Sequence, residues 1–260
     1  MYKRTKAILK ACEKASINIA RDLVEINHLH GSRNLGKFLG SAQMRFERNI
    51  AKELGNETSD IVVYLPDGTE KTIQDPYNLS VRSGHYKAVV VGIDNITNLS
   101  HGIETIAFGL SLEFPDRDRA TAICIPATNT VIFSEDSEEF FSLGQDGLMR
   151  KIKINKSINI NFPTIICGSD HHNHGVNNYF LKREIHFVSS GSILCDVSRV
   201  LENKLDIAFF NRPCEVFLNF ISYIINGAGG ADAFIGDSYV FGKKSLVKSL
   251  VQKATEESPE

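Results

Sequence analysis

Between residues 163 and 227 the hydrophobic pattern switches repeatedly between a strand period and a helix period, and this constrains the fold more than any other feature. PTIICGS (163–169) is a short apolar run, read as a strand, and a helix follows through NNYFLKR (177–183). EIHFVSS (184–190) reads as a strand, GSILCDVSRVLENK (191–204) as a helix and LDIAFF (205–210) as a strand. CEVFLNFISYIING (214–227) is a largely apolar helix that ends at Gly227, read as its C-cap. Elements that alternate in this way hide their apolar faces by layering helices on sheets. The class is α/β.

The first half is patterned differently. Residues 2 to about 29 predict a long amphipathic helix, with Ile8, Cys12, Ala15, Ile19, Leu23 and Ile26 on one face. GSRNLGKFLG (31–40) predicts a loop or flap, and Ser41–Leu54 a second helix stopped by Gly55-Asn56. DIVVYLPDGTEKTI (60–73) has the alternation and turn of a β-hairpin, with Asp67 as a turn residue. KAVVVGID (87–94) is a continuous apolar run and must be a buried strand. Closely spaced strands follow from residue 104 to about 160, the first of them (ETIAFGLSLEF) open to a partly helical reading. This change of pattern divides the chain into an α+β part (1–155) and an α/β part (156–260), expected to form one compact unit with a frayed tail.

The net charge of −2, from 29 basic and 31 acidic residues, predicts no bulk attraction to nucleic acid or an anionic membrane. No apolar run reaches the roughly 18 residues that span a bilayer. The segment MYKRTKAILKACEKAS is charged throughout, unlike a signal peptide. Cys12, Cys124, Cys167, Cys195 and Cys214 are isolated and odd in number, which predicts reduced thiols and a cytoplasmic location.

Four segments, read in order, resemble the inositol-monophosphatase family. GIDNITNLSHGI (92–103) is similar to the family's DPIDGTTNFxHG motif. Residues 120–153 resemble its central strands, and SSGSILCDVSRVLENKLDIAFF (189–210) its RxxGSAALDLxxVAxGxxDAYxE segment. CEVFLNFISYIINGAGG (214–230) stands where the family has CWDxAAGxxIxxEAGG. The resemblance implies an αβαβα sandwich, Mg²⁺-dependent hydrolysis of phosphomonoesters and homodimers.

Such hydrolysis needs two or three Mg²⁺ ions to neutralise the phosphate and lower the pKa of the attacking water. Magnesium takes oxygen ligands in octahedral geometry, so several carboxylates must converge. In the family they come from both aspartates of DPIDGT, the aspartate of WDxAAG, a strand glutamate and an aspartate opening the second helix. Carried over residue by residue, the first DPIDGT aspartate is Val91 and the second is Asp94. The next three family positions are Asn95, Ile96 and Thr97, and Ile96 replaces the threonine that helps activate the water. The WDxAAG aspartate falls on Phe217, with Glu215 two residues away should the register shift. The second-helix aspartate falls on Gln43, four residues before Glu47, and Glu70 is the nearest strand glutamate. The metal candidates are therefore Asp94, Glu70 and Glu215. Gly191 and Ser192, opening a helix, are candidates for phosphate or substrate contact.

Other motifs have both functional and ordinary readings. His171, His172 and His174 beside Asp170 have spacing that can hold Zn²⁺, yet solvated polar residues explain them as well. His101 suits a cap or a structural hydrogen bond better than catalysis. The glycines of GAGG (227–230) close a helix with no strand before them, unlike a nucleotide-binding loop. KKSLVKSLVQK (243–253) is a basic amphipathic helix expected to pack on the body, and the best local candidate for RNA or an acidic partner.

Three functions remain open at this point. One is a phosphatase-fold protein that has lost efficient catalysis and acts by binding, as in the extragenic-suppressor branch that works with the transcription machinery. The second is a working Mg²⁺-dependent inositol or sugar monophosphatase. The third is an anion sensor without turnover.

Overall fold

The computed structural model describes residues 3–26, 28–29, 34–55, 58, 60–64, 69–73, 87–113, 119–136, 139–155, 164–168, 185–211 and 214–256. Its contacts divide the chain into two units, Met1–Lys151 and Ile152–Glu260. The fold class is the expected α/β arrangement of sheets and helices.

The first unit opens with α1 (Lys3–Ile26) and α2 (Leu35–Leu54). β1 (Asp60–Tyr64), β2 (Glu70–Ile73) and β3 (Lys87–Asp94) follow, then the short α3 (Ile96–Ser100). β4 (Ala107–Glu113), β5 (Arg119–Ile125), β6 (Thr130–Ser134), β7 (Phe140–Leu143) and β8 (Met149–Ile152) complete an eight-stranded sheet in the order β2-β1-β3-β4-β5-β6-β7-β8. β1 runs parallel to β3, while β3 through β7 pair antiparallel. One sheet face presents Ile61, Val63, Ala88, Val90, Leu110, Leu112, Ala122 and Cys124 to the buried stripes of α1 and α2. Ala11, Cys12 and Ala15 keep α1 slim where it meets β5, so helix and sheet approach closely. Phe46 of α2 meets Phe108 of β4 edge-on, with ring centroids 5.1 Å apart.

Two expectations change here. α2 begins at Leu35, six residues before the expected Ser41, so part of the expected flap is helix. Leu35, Phe38 and Leu39 pack on the core and offset the propensity cost of Gly36 and Gly40, about 1 kcal/mol each. ETIAFGLSLEF contains a strand, Ala107–Glu113, with no helical portion among its described residues. Pairing on both sides, with β3 and β5, decides in favour of the strand. The hairpin at 60–73 has Ile61 opposite Ile73, while Asp67 lies outside the described residues.

The second unit contains β9 (Thr164–Gly168), β10 (Ile185–Val188), α4 (Ile193–Leu201), β11 (Ile207–Asn211), α5 (Glu215–Gly227), β12 (Ala231–Ile235), β13 (Ser238–Gly242) and α6 (Lys244–Glu256). Its sheet order is β10-β9-β11-β13-β12, with β9 parallel to both neighbours and β13 antiparallel to both of its own. The β12–β13 hairpin lies outside the sequence reading, although the Gly236-Asp237 pair is its turn and Gly236 takes φ +57°. The C-cap of α5 is Ala228 rather than Gly227, and Gly229, at φ +89°, is the residue that turns left-handed. Among the described residues, no helix is long and apolar enough to cross a membrane.

Candidate functional site

β3 carries the most informative residues of the first unit. Val91 is fully buried, opposite Tyr64 on one side and Gly109 on the other. The register with β4 then slips: Val91 faces Gly109, but Asp94 faces Ala107, so β3 has one residue more than its partner there. Such a bulge re-aims the side chains at a strand end. Asp94, the last residue of β3, is 3 % exposed.

The chain then turns through Asn95, at φ +63°, a conformation asparagine tolerates better than most residues. Its side chain accepts the Asn98 N–H at 3.0 Å and caps α3. The Asn98 amide donates to the Thr105 carbonyl at 2.8 Å and closes the following loop. His101 Nδ1 lies 2.9 Å from the Thr97 carbonyl oxygen, the structural hydrogen bond suggested by its sequence context. Ile96 and Thr97 are exposed.

On α2, Gln43 donates from Nε2 to Glu47 Oε1 at 3.1 Å. The other Glu47 oxygen pairs with the Lys71 ammonium on β2. The Glu47 side chain is 10 % exposed and that of Lys71 55 %. Glu47 and Lys71, with Met44, Arg48, Ala51, Thr72 and Ile73, line a pocket of about 310 Å³. Glu70 sits opposite Tyr64, which sits opposite Val91. Two strand spacings therefore separate Glu70 from Val91, roughly 10 Å. Glu70 is exposed and is not gathered towards Asp94.

In the second unit, Gly191 takes φ +73° and Ser192, fully buried, caps α4 by accepting the Cys195 N–H at 3.2 Å. Glu215 is the first residue of α5 and is exposed, whereas Phe217 is fully buried. Two residues along a helix turn the side chain about 200°, so Glu215 points away from the direction Phe217 takes. His171, His172, His174 and Asp170 lie outside the described residues.

The donor set can be tested against the Mg²⁺ cluster that the family resemblance implies. Val91 and Phe217 offer buried hydrocarbon, Ile96 offers no hydroxyl, and Gln43 offers a neutral amide in place of a carboxylate. Among the described residues, no group of three or more His, Cys, Asp or Glu side chains is placed to hold a metal ion. These residues do not fit a cluster of hard divalent cations, which needs several converging carboxylates.

Sequence reading missed two features: the lysine on Glu47, and a polar group on α5 and the β12–β13 hairpin. There the Tyr239 hydroxyl donates to Asp232 Oδ2 at 2.8 Å, and Asn226 holds the other Asp232 oxygen. Burial, then the Asp232 carboxylate, pushes the Tyr239 phenol well above its ordinary value. Neither feature has a spacing signature, because both join residues of different elements. Burial, then the neighbouring Cys12, likewise pushes the Cys124 thiol up, which makes it a poor nucleophile.

No protein-family model and no curated relative matches the sequence. Solved structures do match. The extragenic suppressor protein suhB from Bartonella henselae superposes with TM-score 0.73 at 16 % identity, covering 99 % of this chain and 100 % of that one. SuhB of Mycobacterium tuberculosis gives 0.68 at 14 % identity over 97 % and 95 % of the two chains. CysQ from Bacteroides thetaiotaomicron, described as a bacterial member of the inositol monophosphatase family, gives 0.65 at 14 % over 93 % and 97 %. The chain therefore has the fold of those proteins.

Proposed function

We propose that this chain is an inositol-monophosphatase-like protein that has lost efficient Mg²⁺-dependent hydrolysis and acts by binding. Val91 carries the reading. A fully buried valine occupies the position where the resemblance asks for a metal-binding aspartate, paired on both sides within the sheet. A hydrocarbon there supplies no ligand, and it raises the cost of placing an uncompensated charge beside it. Phe217 and Ile96 support the same conclusion at two further positions. Asp94 alone cannot neutralise two or three divalent ions.

The binding role belongs to the cytoplasm and to a homodimer, with a protein of the transcription machinery as partner. Two of the structural neighbours are SuhB proteins, the one from Bartonella henselae described as an extragenic suppressor protein, which supports that partner. The test is calorimetric titration with MgCl₂ and CaCl₂, run alongside phosphate release from inositol monophosphate, with Asp94→Asn as control. No binding below millimolar and no release above the control is the expected result. Micromolar metal binding that Asp94→Asn abolishes, with phosphate release, would establish the working phosphatase instead.

A further inference from the structure

The pocket between α2 and β2 has a lining that selects a ligand. Met44, Glu47, Arg48 and Ala51 stand at i, i+3, i+4 and i+7, so one face of α2 forms its helical wall. From β2, Lys71 and Ile73 are two residues apart and therefore share one side of the strand. Ala51 and Ile73 belong to the buried core and give the pocket an apolar base, which Met44 extends towards solvent. The volume of about 310 Å³ lies at the small end of ligand sites, which run from about 300 to 1,000 Å³.

The three charged residues of this lining differ in what they can still bind. One Glu47 oxygen accepts the Gln43 amide and the other accepts the Lys71 ammonium, so the acid is already matched. Lys71 has three N–H donors, and Glu47 takes one of them. Arg48 is exposed, and among the described residues its guanidinium has no ion pair. Glu47 and Lys71 offset one another in charge, which leaves the single positive charge of Arg48.

We propose that this pocket binds a small amphipathic monocarboxylate, with its carboxylate on Arg48 and Lys71 and its hydrocarbon on Met44, Ala51 and Ile73. A guanidinium meets a carboxylate through two parallel N–H···O bonds, which fixes orientation as well as charge. A second negative charge, as on a phosphate monoester, has no cation left to meet it beside the apolar base. An amphipathic cation fits worse, because the one acid of the lining is taken and Arg48 repels it. The site is independent of the metal-site reading, since none of Val91, Asp94 and Ile96 lines it.

The methionines supply a local readout. The full chain has three of them, Met1, Met44 and Met149, so labelling their methyl groups with carbon-13 gives one NMR signal in the pocket wall. Met149, on β8, is outside the lining and serves as the control. The probe is hydrocinnamate, a benzene ring joined to a carboxylate by two methylenes. It should shift the Met44 signal saturably, in the millimolar range or below, and leave Met149 in place. Binding should weaken at least about tenfold in Arg48→Ala, which removes a charged donor from an exposed helix position and keeps a good helix former there. Lys71→Met should weaken it too, by uncovering the Glu47 charge. If a variant fails to fold, hydrocinnamide, the same shape without the charge, still decides the matter by binding more weakly to the unaltered chain. A Met44 signal that stays put at tens of millimolar probe overturns the proposal, as does an affinity unchanged in Arg48→Ala. So does equal binding of hydrocinnamide or phenylpropylamine, a Met149 shift that tracks that of Met44, or tighter Arg48-dependent binding of phenyl phosphate.

Discussion

Replacing Lys71 by methionine tests how firmly the α2–β2 pocket depends on its internal cation. The change keeps the aliphatic stem and removes only the charge beside Glu47, whose side chain is 10 % exposed. Stripping one partner from a fully buried ion pair costs about 3–5 kcal/mol, and an exposed pair is worth about 0–1 kcal/mol. Lys71 is 55 % exposed, so solvent screens the pair and the estimate falls to about 1–2 kcal/mol. For a protein of this size that corresponds to a fall in Tm of about 2–8 °C. Glu47→Gln removes the charge that Lys71 serves, so the double variant should recover a coupling of about 1 kcal/mol. Urea unfolding of the four proteins, followed by circular dichroism, measures the cycle. Because one partner is largely buried, part of the coupling should survive about 0.5 M NaCl. A coupling under about 0.3 kcal/mol, or its complete loss in salt, refutes the claim that the lysine neutralises a buried acid. Millimolar MgCl₂ should leave the Tm of Lys71→Met unchanged, since one carboxylate and one amide do not make a magnesium site. A rise on adding Mg²⁺ would contradict the donor count behind the proposed function.

Gly230→Ala places a Cβ 2.7 Å from the Gly242 carbonyl oxygen and 2.9 Å from Ile225 Cγ2. A thermal melt should show a loss of about 1–3 kcal/mol, and an unchanged Tm would disprove the crowding. Tyr239→Phe leaves Asp232 with Asn226, at a cost of about 1–2 kcal/mol, measured by urea unfolding at neutral pH. Because the phenol's value is raised in the folded state, this stabilisation is complete below about pH 10 and fades as pH rises beyond it. Asp146 is held below the usual carboxylate range, first by its hydrogen bond from Arg150 and then by the Leu148 N–H. Any stability it lends is present above about pH 4 and disappears as pH falls through the lowered value. In Arg150→Ala its carboxyl should titrate higher by NMR, and an unmoved midpoint would show that Arg150 is not the cause.

Much of the candidate site was legible because its residues are contiguous. GIDNITNLSHGI (92–103) carries its own left-handed asparagine and short capped helix, built from contacts within a few residues, while the bulge before them needs the pairing with β4. Carrying the family pattern onto it identified Val91, Asp94 and Ile96 without any tertiary information. Glu70 was less tractable, since its distance from Val91 depends on how many strands intervene, and only the pairing of β2 with β1 and of β1 with β3 settles that. The start of α2 was missed because three glycines weigh against helix locally, while the burial that offsets them is supplied by the core.

The sequence by itself determined the α/β class, the long helices α1 and α5, and the buried strand β3, because hydrophobic period and continuous apolar runs act over short range. It also determined that hydrocarbon stands at residues 91, 96 and 217, since identity at a position needs no fold. The tertiary structure alone decided that Lys71 meets Glu47, that Asp232 is turned to Tyr239, and that β12 pairs with β13. Each depends on which elements become neighbours. That choice is made by the burial of whole faces at once, and no local run of residues records it.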